Sequence, residues 1–179
     1  VGLFTDYLVE MEAEDYVGLS IYTHSSADRA ILEHGLSRNL GQIKDTTQHR
    51  QAGHYQPGTN ISAGMKIARN ELIQHARSRS ARLMVLMTDG IPNEPGGTAT
   101  ATAAVITEAN LAKTDKIKIL TISLGAGADT ALMQQVADMT GGVHFNVPVG
   151  SSIAAVEVQL EKVFREIANS RTLRLISDQ

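Results

Sequence analysis

Two short segments that are apolar on both faces constrain the fold of this chain most strongly. Residues Arg82–Thr88 and Ile117–Leu124 carry apolar side chains at successive positions, so neither face of these strands is suited to water. Such strands are typical of a parallel sheet that is covered by helices on both sides. Between them, Ala101, Val105 and Ala109 recur at every fourth residue, which indicates a helix. Strands that alternate with helices predict a doubly wound α/β fold with a mostly parallel sheet.

The rest of the chain extends this pattern. The alternation in residues 16–22 and a second apolar run at 30–36 predict two strands, and their short link allows only an antiparallel hairpin at the sheet edge. Helical periodicity is predicted over residues 1–11, 38–50, 61–72, 132–139 and 153–167, with a last strand at 143–147. Because there is no internal repeat, low-complexity tract or linker, residues 1–179 are predicted to form a single domain.

Composition excludes several classes of protein. The formal net charge is -3, and without a basic excess the chain is not expected to bind nucleic acid. There is no cysteine, which excludes thiolate zinc sites and thiol catalysis. The longest apolar run, residues 83–87, is far too short to span a membrane.

Candidate site residues follow from the position of the predicted strand ends. In a doubly wound sheet, ligands bind beyond the carboxyl ends of the strands, which directs attention to the loops 53–60, 89–97 and 125–129. Asp89 follows a buried strand, and Thr59 precedes a predicted helix. Taken singly, Thr59 is more simply interpreted as a helix N-cap and Asp89 as part of an Asp-Gly turn. Taken together at one sheet edge, the hydroxyl and the carboxylate favour a shared site for a hard cation.

Two motifs identify a family. The sequences Gly-Thr-Asn-Ile-Ser-Ala-Gly-Met at 58–65 and Val-Leu-Met-Thr-Asp-Gly-Ile-Pro-Asn at 85–93 closely resemble the von Willebrand factor type A (vWA) domain. Segments 17–22, 119–125 and 139–145 resemble further strands and a helix end of that family, in the same order. The resemblance implies a Rossmann-like fold and a metal-ion-dependent adhesion site, or MIDAS, for Mg²⁺ or Mn²⁺, with Thr59 and Asp89 as metal ligands. It further implies an open coordination position for a carboxylate of a partner protein.

The function expected from this resemblance is metal-dependent, adhesion-type binding of another protein that presents an acidic residue, and not an enzymatic activity. Two alternatives remain open. One is a nucleotide- or phosphate-using α/β enzyme, because Gly53 and Gly58 bracket a loop before a helix, as in phosphate-binding loops. Against it, Thr59 and Asn60 follow this loop in place of the lysine that binds the phosphates. The other is a structural vWA domain with a degenerate metal site.

The chain departs from the family at one motif. The Asp-x-Ser-x-Ser that follows the family's first, central strand does not occur in residues 1–179. Mg²⁺ or Mn²⁺ is therefore expected in the intact protein. Residues 1–179 alone are expected to bind the cation weakly or not at all. If they bind it tightly, Asn93 or Glu94 is expected to be a further ligand. Residues 164–175 resemble the ends of vWA domains in bacterial envelope proteins related to tight-adherence pilus assembly, which favours an extracytoplasmic or cell-envelope location.

The first prediction concerns the sequence that precedes Val1 in the natural gene. We expect an apolar strand that ends in Asp-x-Ser-x-Ser within about twenty residues upstream, because one strand and one loop must fit there. Reading the gene tests this, and an upstream stretch without any apolar strand would contradict it.

Overall fold

Six helices and five strands are formed by the residues that the structure, a computed structural model, describes: 2–10, 14–23, 30–49, 58–78, 80–148 and 153–177. In chain order they are α1 (Gly2–Glu10), β1 (Val17–Tyr22), β2 (Ala30–Ser37), α2 (Leu40–Gln48), α3 (Ile61–His75), β3 (Arg82–Thr88), α4 (Thr98–Thr114), β4 (Ile117–Leu124), α5 (Thr130–Thr140), β5 (His144–Val147) and α6 (Ile153–Ser177). The predicted order of elements is confirmed. The part of the loop 53–60 that covers residues 53–57 lies outside the described residues.

The strands are divided between two sheets. β1 and β2 form an antiparallel pair, as predicted, and β3, β4 and β5 form a parallel sheet in that order. Among the described residues, β4 is the middle strand of this sheet and β3 pairs on one side alone. The predicted α/β fold, with mostly parallel strands and an antiparallel edge strand, is thus present. Within the part of the chain that the structure describes, however, no strand pairing joins the β1–β2 sheet to the β3–β4–β5 sheet.

Helices cover both faces of the parallel sheet, and β4 supplies core side chains to each. Ile119 belongs to a core shared with α3, α4 and α5, whereas Leu120 and Ile122 belong to a core shared with α1 and α6. Successive side chains of a strand point to opposite faces, so a strand with apolar residues on both faces contributes to two cores at once. The predicted α4 stripe is buried as expected, with exposures of 0–1% at Ala101, Val105, Ala109 and Ala112.

Two helices hold the two sheets together. In α1, Tyr7 packs in the core that contains Leu120, and the adjacent Leu8 packs with Leu40 and Ile43 of α2, next to β1. On the other face, α3 packs against β1, β2 and β3. The split sheet is thus bridged by helix packing and not by a continuous hydrogen-bond ladder.

The helix that precedes β5 ends as predicted. Gly141 follows α5 with φ 71, in the left-handed region, and its N–H lies against the carbonyl oxygens of Ala137 and Asp138. This conformation strains any residue with a Cβ, which explains glycine at this position.

Among the described helices, none combines the length and the apolar character that a bilayer crossing requires.

His144, at the start of β5, is held in one neutral tautomer by a hydrogen bond to Thr121. The hydroxyl of Thr121 donates to the carbonyl oxygen of Met133 at 2.9 Å, so it accepts a hydrogen bond from His144 Nδ1, also at 2.9 Å. The buried Nε2 atom has no hydrogen-bond partner in the described part of the chain. Burial lowers the pKa of His144, while hydrogen bonding with the backbone of Thr121 and the charge of Asp138 partly oppose this.

The second prediction follows from the sign of that shift. The unfolded chain takes up this proton near its ordinary pKa of about 6.5, and the folded chain only at lower pH. The contribution of His144 to the free energy of unfolding should therefore be constant above about pH 6.5. It should fall as the pH drops from there toward the lowered pKa of the folded state. His144→Asn, which keeps a donor near the Nδ1 position, should flatten this dependence in urea unfolding measured between pH 5 and 8. His49→Asn, at an exposed histidine, is the control, and an unchanged slope in His144→Asn would contradict the prediction.

Candidate metal-binding edge of the sheet

Two loops at the carboxyl edge of β3 are clamped to each other by hydrogen bonds. The N–H of Thr59 donates to Asn93 Oδ1 at 2.9 Å. In return, the N–H groups of Asn93 and Glu94 donate to the carbonyl oxygen of Thr59 at 3.1 and 3.4 Å. The loop before α3 and the loop after β3 therefore form one unit.

Glycines allow these loops to approach closely. A Cβ added at Gly90 would lie 3.1 Å from Thr59 Oγ1, and one added at Gly127 would lie 2.7 Å from the carbonyl oxygen of Asp89. All three segments singled out from the sequence thus contribute described residues to the same edge. Thr59 and Asp89 lie in contacting loops, with the Thr59 hydroxyl beside the residue that follows Asp89.

Thr59 does not cap α3, so that alternative for its role is wrong. The N-cap is Asn60, whose Oδ1 accepts hydrogen bonds from the N–H of Ala63 at 3.1 Å and from the hydroxyl of Ser62 at 3.0 Å. Asn60 is only 1% exposed, so these bonds satisfy a buried amide oxygen. The sequence could not distinguish the two residues, because threonine and asparagine are both good caps. The Thr59 hydroxyl is left without a hydrogen bond to any described residue.

Asp89 likewise does not hold its own turn. Thr88 does so, because its Oγ1 accepts from the N–H of Gly90 at 3.3 Å and lies 3.2 Å from the Gly90 carbonyl oxygen, to which it donates. The Asp89 side chain is exposed, and it has neither a hydrogen bond nor an ion pair with the described residues. Both of the simple structural explanations for these residues therefore fail, and an unengaged hydroxyl and an unengaged carboxylate are carried by loops that contact each other.

Tyr22, at the carboxyl end of β1, borders this edge from the second sheet. Its hydroxyl donates to the backbone carbonyl of Met87 at 2.6 Å. Burial raises the pKa of Tyr22 to about 12, and the negative charge of Asp89 contributes to the rise, against a lowering by Thr88. The phenol is therefore a stable hydrogen-bond donor that fixes the end of β1 relative to β3.

The two unengaged side chains fit Mg²⁺ or Mn²⁺ by their chemistry. Hydroxyl and carboxylate oxygens are the ligands that hard divalent cations prefer. In the described ranges, no group of three or more His, Cys, Asp and Glu side chains is arranged to hold a metal. The reserve ligands are engaged elsewhere: Asn93 Oδ1 accepts from Thr59, and Glu94 Oε2 accepts from the N–H of Gly96 at 3.3 Å. Thr59 and Asp89 thus supply two of about six positions, and their role as metal ligands stays a prediction.

Sequence reasoning missed the residues that support this edge. Asn93 was considered as a reserve ligand and not as the partner of Thr59, and Gly90 was noted merely as the residue after Asp89. Their spacing in Asp-Gly-Ile-Pro-Asn was visible, but the contacts with Thr59 join residues 34 positions apart. Such long-range pairing cannot be inferred from one sequence.

Comparison with known proteins decides the family. A family model for the von Willebrand factor type A domain matches residues 12–164. The chain belongs to the von Willebrand factor type A family. Such vWA domains are generally interaction modules and not enzymes, and many bind proteins in a metal-dependent manner. No curated protein matches the chain at a significant level.

Solved structures show the same vWA fold at low sequence identity. An aerotolerance-related membrane protein from Bacteroides fragilis NCTC 9343, with multiple mutations to serines, has a TM-score of 0.65 at 16% identity, over 92% of this chain and 86% of that one. The VWA domain of SpRpn10 gives 0.64 at 15% identity, over 86% and 75%. Proximal thread matrix protein 1 from the mussel byssus, with a zinc-occupied MIDAS motif, gives 0.61 at 17% identity, over 90% and 40%. The last structure shows that a vWA domain can hold a divalent metal.

The third prediction separates the cap from the candidate ligand. Asn60→Ala should lower the free energy of unfolding by about 1–2 kcal/mol, because it removes a buried N-cap. Thr59→Ala should change it by no more than about 0.5 kcal/mol, since no hydrogen bond of the hydroxyl is lost. Urea unfolding of both variants measures this. A larger loss in Thr59→Ala than in Asn60→Ala would show that the assignment of the cap is wrong.

Proposed function

We propose that this vWA domain binds another protein by holding a partner carboxylate through Mg²⁺ or Mn²⁺ at the edge formed by Thr59 and Asp89. The observation that supports this is the combination of rigid loops and unengaged side chains. Three backbone-directed hydrogen bonds fix Thr59 against residues 93 and 94, while its hydroxyl and the Asp89 carboxylate have no partner among the described residues. Polar groups without a structural partner, placed by a fixed scaffold, are what a ligand site requires.

The charge of this ligand pair suits an acidic partner. One carboxylate and one neutral hydroxyl neutralise half of a divalent charge, so a bound cation would keep a net positive charge toward solvent. That charge is the chemistry which the cation supplies, and it favours a carboxylate from outside. The chain's own part is to hold the two oxygen atoms at one edge and to leave that edge accessible.

The surface beside the edge is suited to contact with another protein. Ile91, two residues after Asp89, is 48% exposed. An open groove of about 400 Å³ between α3 and α4 is lined by residues that include Asn60, Lys66, Pro95 and Glu108. An exposed apolar side chain next to a polar anchor is a common arrangement at protein interfaces.

A phosphate-binding function has less support. In phosphate loops, free N–H groups at a helix N-terminus bind the anion. Here the Asn60 side chain already accepts from the N–H of Ala63 in the first turn of α3. We also propose that residues 1–179 form a single vWA domain.

The fourth prediction tests the metal. In the full natural protein, calorimetric titration should show binding of Mg²⁺ and Mn²⁺, and Asp89→Ala should weaken it more than about tenfold, because it removes the charged ligand. Binding of an acidic partner should vanish with a chelator. Asp45→Ala, at an exposed carboxylate on α2, is the matched control and should leave metal affinity unchanged.

Two results would contradict this proposal. Unchanged metal affinity in Asp89→Ala would exclude Asp89 as a ligand. Residues 1–179 alone should bind the cation weakly or not at all, because they supply two ligands. Tight binding by residues 1–179 would mean that Asn93 or Glu94 completes the site and that this ligand count is wrong.

A further inference from the structure

Thr59 lies between a buried, hydrogen-bonded asparagine and a glycine with positive φ. On its C-terminal side, Asn60 is buried and fixed to the first turn of α3. On its N-terminal side, Gly58 has φ 148, a conformation that residues with a Cβ rarely adopt. A glycine in this conformation gives the chain no steric preference of its own, so the orientation of Thr59 must be fixed by contacts from elsewhere.

Those contacts come from Asn93 and the residue after it. Asn93 Oδ1 accepts from the Thr59 N–H at 2.9 Å, and the main-chain N–H groups of Asn93 and Glu94 donate to the Thr59 carbonyl at 3.1 and 3.4 Å. Both peptide groups that flank the Thr59 Cα are therefore held from the same side. The orientation of these two groups fixes the direction of the Thr59 Cα–Cβ bond, which carries the hydroxyl.

The same clamp holds the loop that begins at Asp89 against Thr59. Asp89 and Asn93 are the two ends of one short loop, in which Pro92 is buried and restricts the backbone. Gly90, near the start of this loop, places its Cα so that an added Cβ would lie 3.1 Å from Thr59 Oγ1. Because Asn93 attaches the far end of the loop to Thr59, it keeps the near end, with Asp89, beside the hydroxyl.

We propose that Asn93 is a positioning residue of the metal-binding edge, which holds Thr59 in the orientation that a divalent cation needs without itself contacting the cation. This rests on the function proposed above. The amide oxygen of Asn93 is committed to the Thr59 N–H, so its contribution to cation affinity acts through Thr59. Metal ligands depend on such supporting contacts for their affinity.

The first experiment needs no metal and uses residues 1–179. Amide hydrogen exchange measured by NMR should show protection of the Thr59 N–H in the unsubstituted chain. Asn93→Leu has a similar shape but no acceptor, and it should remove this protection. Asn93→Asp keeps the acceptor and should retain it. Asn39→Ala is the matched control, because Asn39 makes the same kind of side-chain bond to the Gln42 N–H, at 3.2 Å, at the start of α2.

The second experiment titrates the full natural protein with Mg²⁺. Asn93→Leu should weaken binding by about three- to tenfold, the range expected when one hydrogen bond is lost. Asn93→Asp should bind at least as well as the unsubstituted protein, and Asn39→Ala should bind equally well. A loss of thermal stability shared by Asn39→Ala and Asn93→Leu, with weaker Mg²⁺ binding in Asn93→Leu alone, separates positioning from a general effect on the fold.

The outcomes distinguish this proposal from the proposed function. Unchanged exchange at Thr59 in Asn93→Leu overturns the positioning role, whether or not the edge binds a cation. Loss of exchange protection with unchanged Mg²⁺ affinity overturns the link between the clamp and the metal, while Asp89-dependent binding still stands. Absence of Mg²⁺ binding in the unsubstituted natural protein overturns the proposed function, and with it the metal role of Asn93.

Discussion

The close contact between Tyr22 and α3 is the constraint on which the arrangement of the two sheets depends. A Cβ added at Gly64 would lie 2.7 Å from Tyr22 Cδ1, so the aromatic ring lies directly against the helix backbone. From this position the phenol reaches the Met87 carbonyl of β3. One side chain of β1 therefore touches both α3 and β3, and it does so where no hydrogen-bond ladder joins β1 to β3 in the described structure. The N-terminus of α3, and with it Thr59, is located relative to β3 by the same packing.

Much of the fold could be predicted because burial leaves a periodic signal in the sequence. The two-sided apolar strands β3 and β4, the buried α4 stripe and the left-handed Gly141 each follow from a local pattern with one physical solution. The split between the sheets could not be predicted in this way, since the same apolar pattern in Arg82–Thr88 suits a strand with one neighbour or with two. Strand pairing is decided by which backbone groups meet, and periodicity carries no information on that.

The candidate site was predictable in part, for a related reason. Thr59 and Asp89 were selected because they follow or precede regular elements at an edge where ligands bind. What the sequence could not supply is the division of roles among neighbouring polar residues. Thr59 and Asn60 are adjacent and chemically similar, yet the buried one caps α3. Thr88 and Asp89 are also adjacent, and the threonine holds the turn. At this edge, one polar residue of each pair supports the backbone and the other stays available, a pattern that only three-dimensional contacts reveal.

The buried cap at Asn60 has a practical consequence for producing this protein. Asn60, Ile61 and Ser62 form the acceptor triplet for N-linked glycosylation in eukaryotic secretion. A glycan is bulky and hydrophilic and must stay in solvent, whereas Asn60 is 1% exposed and holds the first turn of α3. A chain modified there during synthesis could not form this helix start, and the loop that carries Thr59 would be displaced with it. Expression in a host without this pathway avoids the conflict. In a eukaryotic secretory host, Ser62→Ala would remove the triplet and keep the capping bond between Asn60 and Ala63.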